Sequence, residues 1–212
     1  MASFDSIVAL VRPQAALCPE VSLRWAILQA ARRFCQETRY LRRPIVLDQA
    51  LGYGRYKLVP NWLALNTDQE VERDALDVIG IKAVEVDGVP LTPDSPERFP
   101  QTYGAGRVVI YEPDEIEIFP WTDAAVSQAI AAQCILRPKI DATVLPTSIV
   151  TLYADQIAYG ALSLLKQMPS SAWSDPPGAA RSAAEFTKAI GMARYRADRQ
   201  GSPRGFNTIA GW

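Results

Sequence analysis

The sequence predicts an α+β protein: a helical bundle, made of an N-terminal helix plus a C-terminal αα-hairpin, with an inserted antiparallel β domain and an extended C-terminal tail. Three observations predict it. Apolar residues recur at three- and four-residue spacing over residues 20–38 and 146–199, two-residue alternation punctuated by turn signals fills the middle, and Gly and Pro break residues 201–212. The expected boundaries are 1–40 and 141–200 for the helical domain, 41–140 for the β domain and 201–212 for the tail.

The helices follow from their start signals and stripes. Ala2 to Val11 predicts a short helix with Phe4, Ile7, Val8 and Val11 on one side, ended by Pro13. Glu20 to Thr38 is a longer amphipathic helix: Pro19 and Glu20 mark its start, and Val21, Trp25, Leu28, Ala31 and Cys35 form its stripe, broadened by Ile27 and Phe34. Arg24, Arg32, Arg33 and Arg39 fall to the opposite side. Pro146 opens a third helix, with Ile149, Leu152, Tyr153, Gln156, Ile157, Gly160, Ala161, Leu164 and Met168 along one face. Ser174 or Asp175 caps a fourth, Pro176 falls near its first position, and Ala179, Ala183, Phe186, Ile190, Ala193 and Ala197 follow as its stripe. The short connection between the last two folds them back as a hairpin. That Ala-rich stripe permits close approach but supplies little buried area, so the pair needs the Glu20–Thr38 helix, a neighbouring subunit, or both.

Between these helices the period changes to that of strands. Arg43 to Asp48 and the run after Gly52 and Gly54 are strand candidates, and Asn61 to Asp74 reads as a loop or short helix. Ala75 to Val86 alternates into Asp87-Gly88, a hairpin signal, and then Val89-Pro-Leu91. Thr92 to Gln101 reads as a polar loop, Arg107 to Tyr111 and Ile116 to Phe119 as a second hairpin. Ala124 to Leu136 places Val126, Ile130, Ala132, Cys134 and Leu136 at even positions, the period of a strand, while its Ala content leaves a helix open.

Composition narrows the function. The chain has no histidine, which removes imidazole-based triads, proton shuttles and His-ligated metal sites. Cys18, Cys35 and Cys134 form no CxxC pair and read as small buried hydrophobes in a reducing compartment. No apolar run reaches the length of a membrane span, and the N-terminus lacks the pattern of a signal peptide, so synthesis in the cytoplasm is expected. Net charge is −1, which argues against an overall nucleic-acid binder. The charge is uneven: residues 61–120 carry four Lys/Arg against thirteen Asp/Glu, between two basic segments. This pattern reads as a solvated face or as an asymmetry that orients the protein in an assembly.

Candidate chemistry is sparse. Asp114, Glu115 and Glu117 cluster near a hairpin tip and raise a carboxylate-based hydrolase, although a solvated strand end explains them as well. Asp68, Glu70, Glu72 and Asp74 alternate like cation ligands but lack the Gly and terminal Glu of a calcium loop. Arg24, Arg32, Arg33 and Arg39 raise a DNA-binding regulator. Trp25, Trp62, Trp121 and Trp173 read as core or rim. No catalytic residue, cofactor or metal is expected. In the tail, Arg204, Phe206, Ile209 and Trp212 are spaced anchors, and the segment reads either as a frayed terminus or as one that orders on a partner.

Four stretches carry a family resemblance: Pro19-Glu20-Val21 at the start of a long helix, the Val84-Glu-Val-Asp-Gly-Val-Pro-Leu91 hairpin, Ala142-Thr-Val-Leu-Pro146, and the Met168-Pro-Ser-Ser-Ala-Trp-Ser-Asp-Pro176 corner. Over nearly the whole chain their order resembles the head-to-tail adaptor (head completion or connector) proteins of tailed bacteriophages, including the tubular tail protein A of short-tailed phages. The resemblance implies a structural virion protein at the head–tail interface, not an enzyme. It implies a homo-oligomeric, dodecameric ring beneath the portal protein, with tail tube or nozzle proteins below. Genomic DNA passes through such a ring without sequence-specific contact, and no membrane is involved. By the same resemblance Arg204, Phe206, Ile209 and Trp212 reach into the portal, and the helix from Ala179 to Arg199 lines or flanks the ring.

Overall fold

The computed structural model describes residues 4–47, 55–60, 67–86, 88–94, 107–119, 130–169 and 171–200. Within them the chain is α+β, with five α-helices and two four-stranded sheets. Helix α1 (Asp5–Val11) runs into a 3₁₀ turn (Arg12–Gln14) that holds Pro13, and α2 spans Glu20–Thr38. Arg39 ends α2 in the left-handed region at φ 50°, its N–H donating to the Cys35 carbonyl at 3.0 Å. Thr38 secures the same end by donating its hydroxyl to Phe34 O at 2.7 Å while accepting the Tyr40 N–H at 3.2 Å.

The buried line of α2 differs from the expected stripe. Leu23, Ala26, Ile27, Ala30, Ala31, Phe34 and Cys35 are buried, whereas Val21 and Trp25 stand in solvent. The reason is steric: α2 lies close to the helix α4 (Thr147–Lys166), and close approach selects the line that contains Ala26 and Ala30 over the line of bulkier residues. Leu152 of α4 likewise faces solvent, away from its expected stripe, while Ile149, Tyr153, Ile157, Gly160 and Ala161 are buried as expected.

Helix α5 (Pro176–Gln200) folds back on α4, burying Ala179, Phe186, Ile190, Ala193 and Ala197. The three helices meet at Gly160, where a Cβ would come within 2.8 Å of the Ala30 Cβ and 2.9 Å of the Phe186 ring. Phe34 stacks beside this point, with ring centroids 4.7 Å from Tyr153 and 6.4 Å from Phe186. Tyr153 departs from helical geometry (φ −135°, ψ 20°) and is held edge-on by Tyr40, 5.0 Å between centroids.

Side chains from elsewhere close the ends of these helices. Pro146 caps α4 with no side-chain hydrogen bond, so Glu72 of α3 (Thr67–Asp74) does it across the fold: its Oε2 accepts the Thr147 N–H at 3.1 Å and the Thr147 hydroxyl at 2.8 Å. Asp175 caps α5, Oδ1 accepting the Gly178 N–H at 3.0 Å, while its Oδ2 accepts from Lys166 Nζ at 3.3 Å. Lys166 is buried at the end of α4 and also donates to Gln14 Oε1 at 3.2 Å. One ammonium therefore joins the end of α4, the start of α5 and the turn after α1.

The first sheet has the order β1 (Arg42–Leu47), β8 (Ile130–Pro138), β3 (Leu76–Val86), β4 (Val89–Pro90), antiparallel throughout. Gly88 turns β3 into β4 at φ 79°, as the Asp-Gly signal requires. Ile130, Ala132, Cys134 and Leu136 of β8 are buried at the expected even positions, which settles residues 130–136 as strand; residues 124–129 lie outside the described residues. β8 is central, and α2 packs against it. The second sheet has the order β2 (Arg55–Lys57), β7 (Glu115–Phe119), β6 (Arg107–Glu112), β5 (Thr92–Asp94). Here two expectations are corrected: Thr92–Asp94 is a strand rather than part of a loop, and it pairs with β6 in parallel, so the β region is not wholly antiparallel. An edge position accommodates it, since Pro93 has no N–H to offer a second neighbour. One apolar cluster runs through α1, α2, α4, α5 and strands of both sheets.

Two outcomes follow. Gly160→Ala should lower stability by about 1–3 kcal/mol, because overpacking at Ala30 and Phe186 outweighs the helical gain of about 1 kcal/mol. Urea unfolding checks this, and Ala30→Gly in the same chain should recover part of the loss. The second concerns acid. Hydrogen bonding from the Gly178 N–H, then the Lys166 ammonium, holds Asp175 below the ordinary aspartate pKa in the folded state. Its contribution is therefore present above the unfolded-state pKa and is lost as pH falls through the folded one. Asp175→Asn, which keeps the cap but not the charge, should flatten the acid limb below about pH 4 in thermal melts, leaving the region from pH 5 to 8 parallel to the parent.

Candidate functional site

Several of the carboxylates that stand out in the sequence are engaged in the fold. Asp114 sits in the turn between β6 and β7, where its Oδ2 lies 3.6 Å from Lys57 Nζ and its carbonyl accepts the Leu58 N–H at 2.7 Å. Glu117 overturns the reading of a solvated strand end: it is buried, and Tyr111 donates its hydroxyl to Glu117 Oε2. A buried carboxylate needs such a donor, and β7 supplies the position because it is the second strand from its sheet edge, between β2 and β6. Among the acidic residues before β3, Glu70 is exposed on α3, Glu72 caps α4 and Asp74 pairs with Arg73 at 2.9 Å; the Asp68 side chain lies outside the described ones. Among the described residues no three His, Cys, Asp or Glu side chains gather to hold a metal ion.

The arginines of α2 do not share a face. Arg24 bridges Glu20 at 2.8 Å and Asp5 at 3.3 Å. Arg33, half a turn around the helix from Arg24, binds Glu37 at 2.5 Å and lies 5.7 Å over the Phe186 ring. Arg32 turns toward the sheet and donates to the Pro138 carbonyl at 2.7 Å; burial, then the Arg137 guanidinium, pulls its pKa down, and Asp77 and Asp141 oppose that. Cys18, Cys35 and Cys134 are free and buried, and burial pushes Cys35 and Cys134 up to about 12, far from nucleophilic thiolates at neutral pH. Trp173 packs against the core, Trp25 is exposed, and Trp62 and Trp121 lie outside the described residues. Arg204, Phe206, Ile209 and Trp212 also lie outside them.

Two features escaped the sequence reading. Arg42, at the start of β1, donates to the Ala197 carbonyl at 3.0 Å and lies 3.7 Å from Asp198, tying the last turns of α5 to the first sheet just before residues 201–212. The pair Arg42-Arg43 before an apolar strand was the available signal, but nothing local identifies a carbonyl 155 residues away as its acceptor. The second is an open cleft of about 730 Å³ where the C-terminal end of α2, the β3 residues Val78–Ile81, β8 and α5 converge. Its charged lining is Glu37, Arg39, Arg137 and Arg194. Arg137 donates Nη1 to Gln36 Oε1 at 3.0 Å, while its Nε is shut from water with no acceptor.

Exposed apolar side chains are spread over the surface, Leu10, Ile140, Leu152 and Tyr159 among them, and two groups lie toward the ends of α2 and α5. Leu17, Val21 and Trp25 are 74%, 81% and 47% exposed, Leu17 in the turn before α2 and the other two in its first turns, and Met192 and Tyr195 are 54% and 57% exposed near the end of α5. The two helices run parallel, as Arg33 over Phe186 and Arg42 on Ala197 require. At about 1.5 Å per residue the patches are therefore roughly 25 Å apart along the helices. Among the described residues no helix is long and apolar enough to cross a membrane. No protein-family model matches this chain, and no curated protein matches it in sequence.

Proposed function

We propose that this chain is a structural component of a tailed-phage virion: a head-to-tail adaptor that forms a closed, dodecameric ring joining the portal to the tail and leaving a path for DNA. In this reading the helical bundle of α1, α2, α4 and α5 forms the body of each subunit, and residues 41–140 form an inserted β domain. The observation that carries it is the pair of exposed apolar patches at opposite ends of the helical layer. A ring needs a heterologous contact, in which one patch of each copy meets a different patch of the next; a single self-complementary patch gives a closed pair instead. Leu17, Val21 and Trp25 supply one such surface, Met192 and Tyr195 the other.

The tail fits this role through Arg42, which anchors α5 where residues 201–212 begin. Arg204, Phe206, Ile209 and Trp212 then insert into the portal, giving an aromatic and cationic set typical of interface anchors. The acidic bias of residues 61–120 suits a surface turned toward tail proteins or one that repels DNA from a channel wall. Arg24, Arg32 and Arg33 of α2 and Arg39 at its cap, dispersed as they are, give no comparable support to a DNA-binding regulator.

Light scattering on the purified chain, alone and with portal rings, tests this. The expected result is a shift to a portal-bound dodecamer, abolished by deletion of residues 201–212 with the helical circular dichroism unchanged. A monomer or dimer that ignores the portal overturns the reading. Val21→Glu with Trp25→Glu should prevent ring closure while changing folding stability by no more than about 0.5 kcal/mol per site, since both side chains are exposed.

A further inference from the structure

We infer that the cleft between α2, β3, β8 and α5 docks an extended acidic segment of a partner protein, whose carboxylates pair with Arg39, Arg137 and Arg194. The inference goes beyond the adaptor reading and does not depend on it. Its first support is an imbalance of charge. Of the four charged residues that line the cleft, the lone carboxylate, Glu37, is held by Arg33 Nε, so it does not neutralise the three guanidinium groups. Arg137 gives one hydrogen bond to the neutral Gln36 amide and keeps a buried Nε without an acceptor. Among the described residues, the Arg39 and Arg194 guanidiniums have neither a hydrogen-bond nor an ion-pair partner; the bonds of Arg39 are made by its backbone, the N–H to Cys35 O at 3.0 Å and the carbonyl from Arg42 Nε at 2.8 Å.

The walls make those charges count. Val78, Ile79, Ile81 and Pro113 lie among them, with Ile135 and Ile190 buried behind, and low-dielectric walls strengthen the pairing of fixed charges with an anion. The floor is open because β3 is irregular here: its register with β8 shifts between Val78 and Gly80 and again between Ile81 and Ala83. Gly80 adds no side chain at the bulge, and the Ile135 methyl lies 3.6 Å from where its Cβ would be. The three arginines are carried by different elements: the left-handed cap of α2, the central strand β8 and the buried-face helix α5. Their backbone positions are therefore fixed relative to one another before any ligand arrives.

Those walls also choose among anions. A nucleic-acid backbone offers phosphates but nothing apolar to cover the half-buried Val78, Ile79 and Ile81 and the exposed Pro113. An extended peptide with acidic and aliphatic residues in alternation offers both, one to each side, because the strand period is two.

The test uses the full chain and a fluorescein-labelled peptide of alternating Glu and Val, with an alternating Lys and Val peptide and a short random-sequence DNA duplex as comparison probes. Fluorescence anisotropy should show binding of the acidic peptide alone, weakening as salt rises. Arg194→Glu should reduce its affinity at least about tenfold, and Arg39→Glu likewise, while Arg181→Glu, on the same helix outside the cleft, should leave it unchanged. Arg39 and Arg194 are exposed, so both variants should fold, as circular dichroism will show. Equal binding of the acidic and basic peptides, unchanged affinity in both cleft variants, binding of the duplex but not the acidic peptide, or no binding of the acidic peptide overturns the inference.

Discussion

Three helices share one point of contact at which no side chain fits, and most of the helical architecture depends on it. Gly160 lets α4 approach Ala30 of α2 and the ring of Phe186 on α5 together, at separations a Cβ would violate. Dispersion gains fall steeply with distance, so this closeness lets small residues such as Ala26, Ala30, Ala161 and Ala193 contribute to a dense interior despite their size. Phe34, Tyr153 and Phe186 then fill the space beside the crossing. An Ala-rich stripe thus becomes an asset once α2 joins the hairpin.

Polar groups fix the ends of what the apolar contacts bring together. Glu72 closes α4 from α3, Asp175 closes α5 while pairing with Lys166, and Arg42 takes the carbonyl of Ala197 near the far end of α5. Each satisfies backbone groups that a helix end leaves open. Glu72 and Arg42 also join segments distant in sequence, and Arg42 ties the last turns of α5 to the first sheet. That arrangement places Arg194 of α5 over the bulged stretch of β3 and creates the cleft.

The candidate residues divided along the same lines. Of the carboxylates that look catalytic in sequence, Asp114 and Glu117 are engaged by Lys57 and Tyr111, and Glu72, from the run that alternates like cation ligands, is engaged by Thr147. Arginines that look like one basic face on α2 are dispersed to Glu20, Glu37 and the Pro138 carbonyl. The cationic site is assembled instead from Arg39, Arg137 and Arg194, of which only Arg39 had stood out. A concentration of charge along the chain and a concentration in space are different quantities, and the three arginines at the cleft come from distant positions on three elements.

By itself the sequence determined the long helices and most strands, including the bounds of α2, the Gly88 turn, the even-numbered buried line of β8 and a cap at Ser174 or Asp175. Those features depend on periods and caps that act over a few residues. Tertiary structure decided which of the apolar lines on α2 is buried, added β5 in parallel to β6, buried Glu117 and converged three arginines on one cleft. The physical reason is that a helix with apolar residues on more than one side has no local preference among them. Only the partner that approaches, and how closely Gly160 allows it to come, selects the face that leaves water.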